Sequence, residues 1–195
     1  MTRRAALPAL LLLAAGASAA AAPLPAGRFS VYGLAPAAAG QARAQAEAAL
    51  GQPLQPEPLL PSRAASPAAS RAAPLAAPPA ASRPTTLGCH YRLNAQQPGV
   101  RYVLAGDLIT RIETRDARYA TLSGIHVGDS VAKAQKVYGK RLLVAAHPYF
   151  DRGKMLTVWS PDRRFALVME ANDGGRIITM RSGRMPEVGW LEGCS

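Results

Sequence analysis

Cysteine, histidine and acid are all scarce in this chain of 195 residues, with 2, 3 and 12 (Asp plus Glu). Two cysteines, Cys89 and Cys194, form no Cys-x-x-Cys pair, which argues against a thioredoxin-like or zinc role. His90, His126 and His147 are dispersed, with no His-x-His and no HExxH, so no metal ligand set is expected. A long hydrophobic run is also missing. The apolar stretch from Ala5 to Ala15 is broken by Pro8 and is too short to span a bilayer comfortably. The shortage of acid leaves 23 Lys plus Arg and a formal charge of +11. That balance favours anionic envelope components or acidic proteins as partners. The arginines are scattered and no dense basic run interleaves with aromatics, so nucleic acid is not an expected partner and most of the charge reads as solvated.

What is present begins with a leader. Arg3 and Arg4 precede the apolar run, and small residues follow through Ala22, the layout of a secretory signal peptide over residues 1–22. No cysteine lies near the cleavage region to take a lipid. The expected product is periplasmic or secreted, with no transmembrane segment in the mature chain.

The clearest helix signal lies in Thr121 to Gly139, TLSGIHVGDSVAKAQKVYG. Asp129 or Ser130 supplies an N-cap oxygen and Gly139 a stop. Val131, Ala134, Val137 and Tyr138 share one helical face, which needs a cover, and a sheet is the natural one. A weaker copy precedes it: Phe29 to Gly51 runs from a short alternating segment into an alanine-rich helix ending at Leu50 with Gly51 as cap. Residues 23–52 are thus the helical part of a first unit. Residues 53–86, rich in Pro, Ala and Ser, offer too little apolar area to offset ordering and read as a disordered insert. Residues 87–119 follow as a three-stranded meander with strands at Cys89 to Leu93, Arg101 to Leu104 and Leu108 to Thr114.

Residues 120–195 repeat the plan. After the helix come strands at Leu142 to Tyr149, Met155 to Ser160, Phe165 to Ala171 and Arg176 to Ser182. Asn172-Asp173-Gly174-Gly175 between the last two is a hairpin signal, because Asn and Gly tolerate the positive φ of tight turns. The expected fold is α+β: two tandem units, each a short helical segment followed by an antiparallel meander, forming one curved sheet or two adjacent sheets.

On GIHVGDSVAKAQKVYG, on the weaker GLAPAAAGQARAQAEAALG, and on the sheets after them, the chain resembles β-lactamase inhibitor protein and the related small outer-membrane assembly lipoproteins. The resemblance implies a protein-binding or inhibitory module acting through a sheet face or loops, with another envelope protein as partner, and it transfers no binding residue. The acylated cysteine of the lipoproteins has no counterpart here.

Catalytic readings are poorly supplied. Gly128-Asp129-Ser130 superficially resembles the nucleophile block of GDSL-type hydrolases. His147 is the last histidine, however, so their C-terminal Asp-x-x-His has no counterpart and Ser130 reads as a helix cap. No catalytic residue, metal or cofactor is expected. The possible ligand surface is aromatic: Trp159, Tyr149 and Trp190. Met155, Thr157 and Trp159 share one strand face and Leu156 and Val158 the other, and the sequence leaves open which packs on the helices. An outward Trp159 suits a sugar or a protein partner, so a carbohydrate-binding module is the alternative function; an inward one is core. Trp190 is expected to pack the tail onto the sheet. Finally, an exported chain with one pair of cysteines enters an oxidising compartment, and a Cys89 to Cys194 disulfide is the expected pairing, with an intermolecular bridge as competitor.

Overall fold

The computed structural model describes residues 27–58 and 88–194. The expected leader and most of the proline-rich segment lie outside them. Three short strands open the described chain, β1 (Arg28–Ser30), β2 (Gly33–Leu34) and β3 (Ala37–Ala38), followed by helix α1 (Arg43–Leu50) and β4 (Gln55–Pro56). Strands β5 (Cys89–Leu93), β6 (Val100–Ala105), β7 (Leu108–Thr114) and β8 (Ala120–Thr121) lead to helix α2 (Val131–Tyr138). The chain ends with β9 (Leu142–Ala146), β10 (Lys154–Trp159), β11 (Phe165–Ala171), β12 (Ile177–Arg184) and a 3-10 turn, Glu187–Gly189.

One sheet dominates, in the order β4-β5-β6-β7-β12-β11-β10-β9, with every neighbouring pair antiparallel. The fold is α+β, and the strands of both expected meanders join in this one sheet instead of forming two adjacent ones. β7 and β12 meet at its middle, pairing Glu113 with Arg181 and Arg111 with Gly183. A side chain at Gly183 would bring a Cβ within 2.3 Å of the Thr110 carbonyl oxygen, so only glycine lets the two central strands approach this closely. A smaller sheet, β3-β2-β1-β8, lies against the middle strands, where the Ser182 hydroxyl donates to the Ser30 carbonyl at 2.5 Å. The sequence signals did not foresee this second sheet, whose strands are only two or three residues long.

Both helices and the small sheet cover the same face of the large sheet. Phe29, Leu34, Ala46 and Leu50 from the first part of the chain join Ile125, Ala134 and Tyr138 from around α2, over Tyr102, Ile112, Leu156, Leu167, Met169 and Met180 from the sheet. Each large apolar side chain fully removed from water here contributes roughly 1.5–3 kcal/mol. Helix α2 starts as expected, with the Ser130 hydroxyl accepting from the Lys133 N–H at 3.1 Å. α1 has an alanine, Ala42, at its N-cap and compensates in part through Gln45, whose side-chain oxygen accepts the Ala42 N–H at 3.1 Å.

Three expectations need correction. The proline-rich insert does not begin at residue 53: Leu54 is buried in the core and β4 adds a fourth strand to the first meander, pairing Gln55 with Leu93. Edge position makes this possible, since Pro56 needs no ladder donor on its open side. Val137 does not share the buried face of α2 but is exposed, because the helix sits over β9 and β10 at the sheet's border and its flank overhangs it. The strand expected over Leu142 to Tyr149 ends at Ala146, after which His147 to Gly153 forms a turn.

Candidate functional site

Strand alternation gives the large sheet a second face with a different chemistry. Along β10, Leu156 and Val158 belong to the helix-side core, which puts Met155, Thr157 and Trp159 on the other side. The same alternation places Arg101, Arg111, Glu113, Arg181 and Glu170 on that second face. Cross-strand register makes them a ladder, Arg101 opposite Glu113 and Glu113 opposite Arg181. Arg101 bonds Glu113, Arg111 meets Glu113 at 2.9 Å, and Arg181 meets Glu170 at 2.5 Å. At the rims Glu57 lies 3.6 Å from Arg101 and His147 lies 3.5 Å from Glu170. His147 accepts the Tyr149 N–H on Nδ1, which leaves Nε2 as the nitrogen that carries the proton toward Glu170. Burial pulls the pKa of the Arg181 guanidinium down and neighbouring Arg111 adds to that, with Glu170 opposing.

The C-terminal tail covers one end of this face. Val188 packs on Ala166 and Val168 with Met155 and Trp159 against them. Arg111, 2% exposed, reaches out of the sheet to donate to the Glu187 carbonyl at 3.1 Å and the Trp190 carbonyl at 2.7 Å. The Cys89–Cys194 disulfide closes the strap onto β5. The Cys89 to Cys194 pairing therefore stands as expected.

At the other end the face is open. A cavity of about 350 Å³ is lined by Glu57, Arg101, Glu113, Arg115, Thr179 and neighbours, and a second of about 340 Å³ by Arg115, His147, Tyr149, Phe150, Glu170, Thr179 and Leu191. Arg115 and Thr179 line both, so the two form one groove. The Arg115 side chain is exposed and makes no hydrogen bond or ion pair among the described residues, in contrast to the paired arginines beneath it. The groove offers the Arg115 guanidinium, unpaired among the described residues, at its centre, carboxylates at Glu57 and Glu170, and an aromatic wall where the His147 and Phe150 ring centres lie 4.5 Å apart.

The aromatic candidates from the sequence separate. Tyr149 stands at the groove, 66% exposed, its hydroxyl donating to Glu192 at 2.9 Å. Trp159 is half-buried against the tail and Trp190 is half-buried in the strap itself, so neither lines the groove. The groove's polar residues were missed because a buried ion-pair ladder looks, in sequence, like isolated charges in strands. The signal available was the alternation Arg111-Ile112-Glu113-Thr114-Arg115, charges at every second position of a strand. Ser130 is engaged as the α2 cap, and among the described residues no group of three His, Cys, Asp or Glu stands close enough together to hold a metal. No helix of the described residues is long and apolar enough to cross a membrane.

No family model matches this chain, and no curated protein or solved structure is similar enough to count as a match.

Proposed function

We propose that this protein is an exported, non-catalytic binding module that takes an acidic segment of another envelope protein in the groove of its open sheet face. Arg115 carries the reading: a guanidinium that is unpaired among the described residues, at the junction of two adjoining cavities, above a ladder whose other cations are already paired. A carboxylate there gains a charge-assisted bond without displacing an existing partner. The disulfide fits an oxidising compartment, and residues 1–22 supply the address for export.

The sheet order supports a finer reading. Within the large sheet four strands follow each helix, β4 to β7 and β9 to β12, and the last strand of each set lies at the centre. We read these as two tandem units, as the likeness to β-lactamase inhibitor protein implies.

The test compares wild type with Arg115→Glu as immobilised baits in periplasmic extract. A partner retained by wild type and lost by about tenfold or more from the variant is expected, the scale of one charge-assisted hydrogen bond. Recovery of no partner across growth conditions, or equal recovery by both baits, overturns the proposal. One observation favours a sugar ligand instead: exposed Tyr149 at the rim of the second cavity. Glycan binding that Tyr149→Ala abolishes and Arg115→Glu spares would decide for that alternative.

A further inference from the structure

The two edges of the large sheet are built differently. At one edge β4 is two residues long and carries Pro56, which has no N–H to offer a further strand. At the other edge β9, Leu142-Leu143-Val144-Ala145-Ala146, contains no charge, proline or bulge. Proteins that keep such an edge unpaired normally guard it with those devices.

The direction of its free groups follows from the register. His147 donates to the Gly153 carbonyl at 3.0 Å, so this pair is a hydrogen-bonded one, and pairs alternate along an antiparallel ladder. Leu143 and Ala145 therefore turn their backbone groups inward to β10, while Leu142, Val144 and Ala146 turn theirs outward. The Leu142 N–H is spent on the Gly139 carbonyl. The Val144 N–H and C=O, the Ala146 N–H and the Leu142 C=O have no strand beside them among the described residues.

We propose that β9 pairs antiparallel with β9 of a second copy of this chain, about a two-fold axis through Val144. The two Val144 residues exchange both backbone bonds, and each Ala146 N–H meets a Leu142 carbonyl of the other copy. Volumes complement across the seam: on the groove side Leu143, 58% exposed, lies opposite Ala145, and on the helix side Leu142 lies opposite Ala146. Charge permits the pairing. Lys140 and Arg141 precede β9, but in this register Arg141 falls opposite the other copy's position 147. The two Arg141 residues then stand about 20 Å apart along the seam, beyond the ~8 Å screening length at physiological salt. With β4 guarded, the pairing closes as a dimer and cannot propagate into a fibre. The seam buries less than the about 1,200–2,000 Å² of a standard stable interface, so the dimer is reversible. It is independent of what the groove binds.

Sedimentation of the full exported chain over a concentration series is expected to show monomer passing to dimer. Hydrogen exchange at the Val144 and Ala146 amides is expected to slow as dimer accumulates. Val144→Pro removes an outward N–H and no β9 to β10 bond, and abolishes the dimer. Leu143→Lys, at an exposed position that leaves the monomer folded, weakens it by about tenfold or more. Monomer at every concentration, a dimer indifferent to Leu143→Lys, or amide protection independent of concentration overturns the proposal. The last result would mean that the edge is already closed within the monomer.

Discussion

Replacing Arg111 by Met tests whether the second face behaves as protein interior. Arg111 is 2% exposed and Glu113 7%, and the pair is 2.9 Å apart. The substitution keeps the length and much of the volume of the side chain but deletes the charge, the pairing with Glu113 and both bonds to the tail carbonyls. Removing one partner of a buried pair typically costs about 3–5 kcal/mol, because the remaining ion is left uncompensated. Glu113 keeps Arg101, a half-exposed partner, so the lower part of that range, about 3 kcal/mol, is expected. Urea unfolding of the oxidised protein measures it, as a lower midpoint with an unchanged slope. Adding Glu113→Leu should recover much of the loss, since an apolar pair in place of an ionic one is often neutral or better. A cost below about 1 kcal/mol for Arg111→Met would put the pair in the class of solvated surface bridges and refute the description of this face.

Two further outcomes follow from the same geometry. Cys194→Ala with Cys89→Ala opens a loop with a sequence separation of 105, for which chain entropy allows up to about 4.7 kcal/mol and experience about 2–4; calorimetry should show the fall, and rapid hydrogen exchange should be confined first to residues after Met185. Asp129 has a carboxyl held below its usual pKa: burial pushes it up, but the Lys133 ammonium at 2.7 Å and the His126 N–H at 2.8 Å together win. A depressed folded-state pKa contributes stability that is present above the unfolded value and lost as pH falls through the folded one. Asp129→Asn should therefore cost about 0.5–1.5 kcal/mol at neutral pH in chemical unfolding, and the gap to wild type should close in acid.

Periodicity and turn chemistry made the strands from Cys89 onward legible. The Asn172 to Gly175 turn forms as its residues demand: the Gly175 N–H reaches the Asn172 carbonyl at 2.9 Å and Gly175 has φ +67°. Ser130 could be read as a cap because its hydroxyl acts within one helical turn. The small sheet could not be read, since pairing of Arg28–Ser30 with Ala120–Thr121 joins segments far apart in sequence and each is too short to show alternation. β4 was hidden for a different reason: composition averaged over 53–86 conceals Leu54, whose burial depends on α1 and the sheet rather than on its neighbours. The groove was least legible. Which of two strand faces meets the helices is a tertiary fact, and until Leu156 is placed inside, neither Trp159 nor Arg111 can be assigned a side.

The ion-pair ladder makes little sense as a device for stability. Arg111, Glu113 and Arg181 each carry a desolvation cost that well-packed apolar side chains would not incur, and the helix-side face of the same strands shows that the chain can supply such side chains. Nor is it ordinary surface charge, because the tail covers Arg111 and closes Val188 over the neighbouring strands. The pattern is intelligible if the charged face is needed at its open end. A strand that must present Arg115 and Glu113 to a groove has the same face at Arg111, and the alternation of the strand carries polarity under the strap. The strap's backbone carbonyls then satisfy Arg111 where a side-chain partner would have needed another buried charge. On this argument the tail, its disulfide and Arg111 act together to close the covered end of a polar face, beside the groove proposed as the binding site.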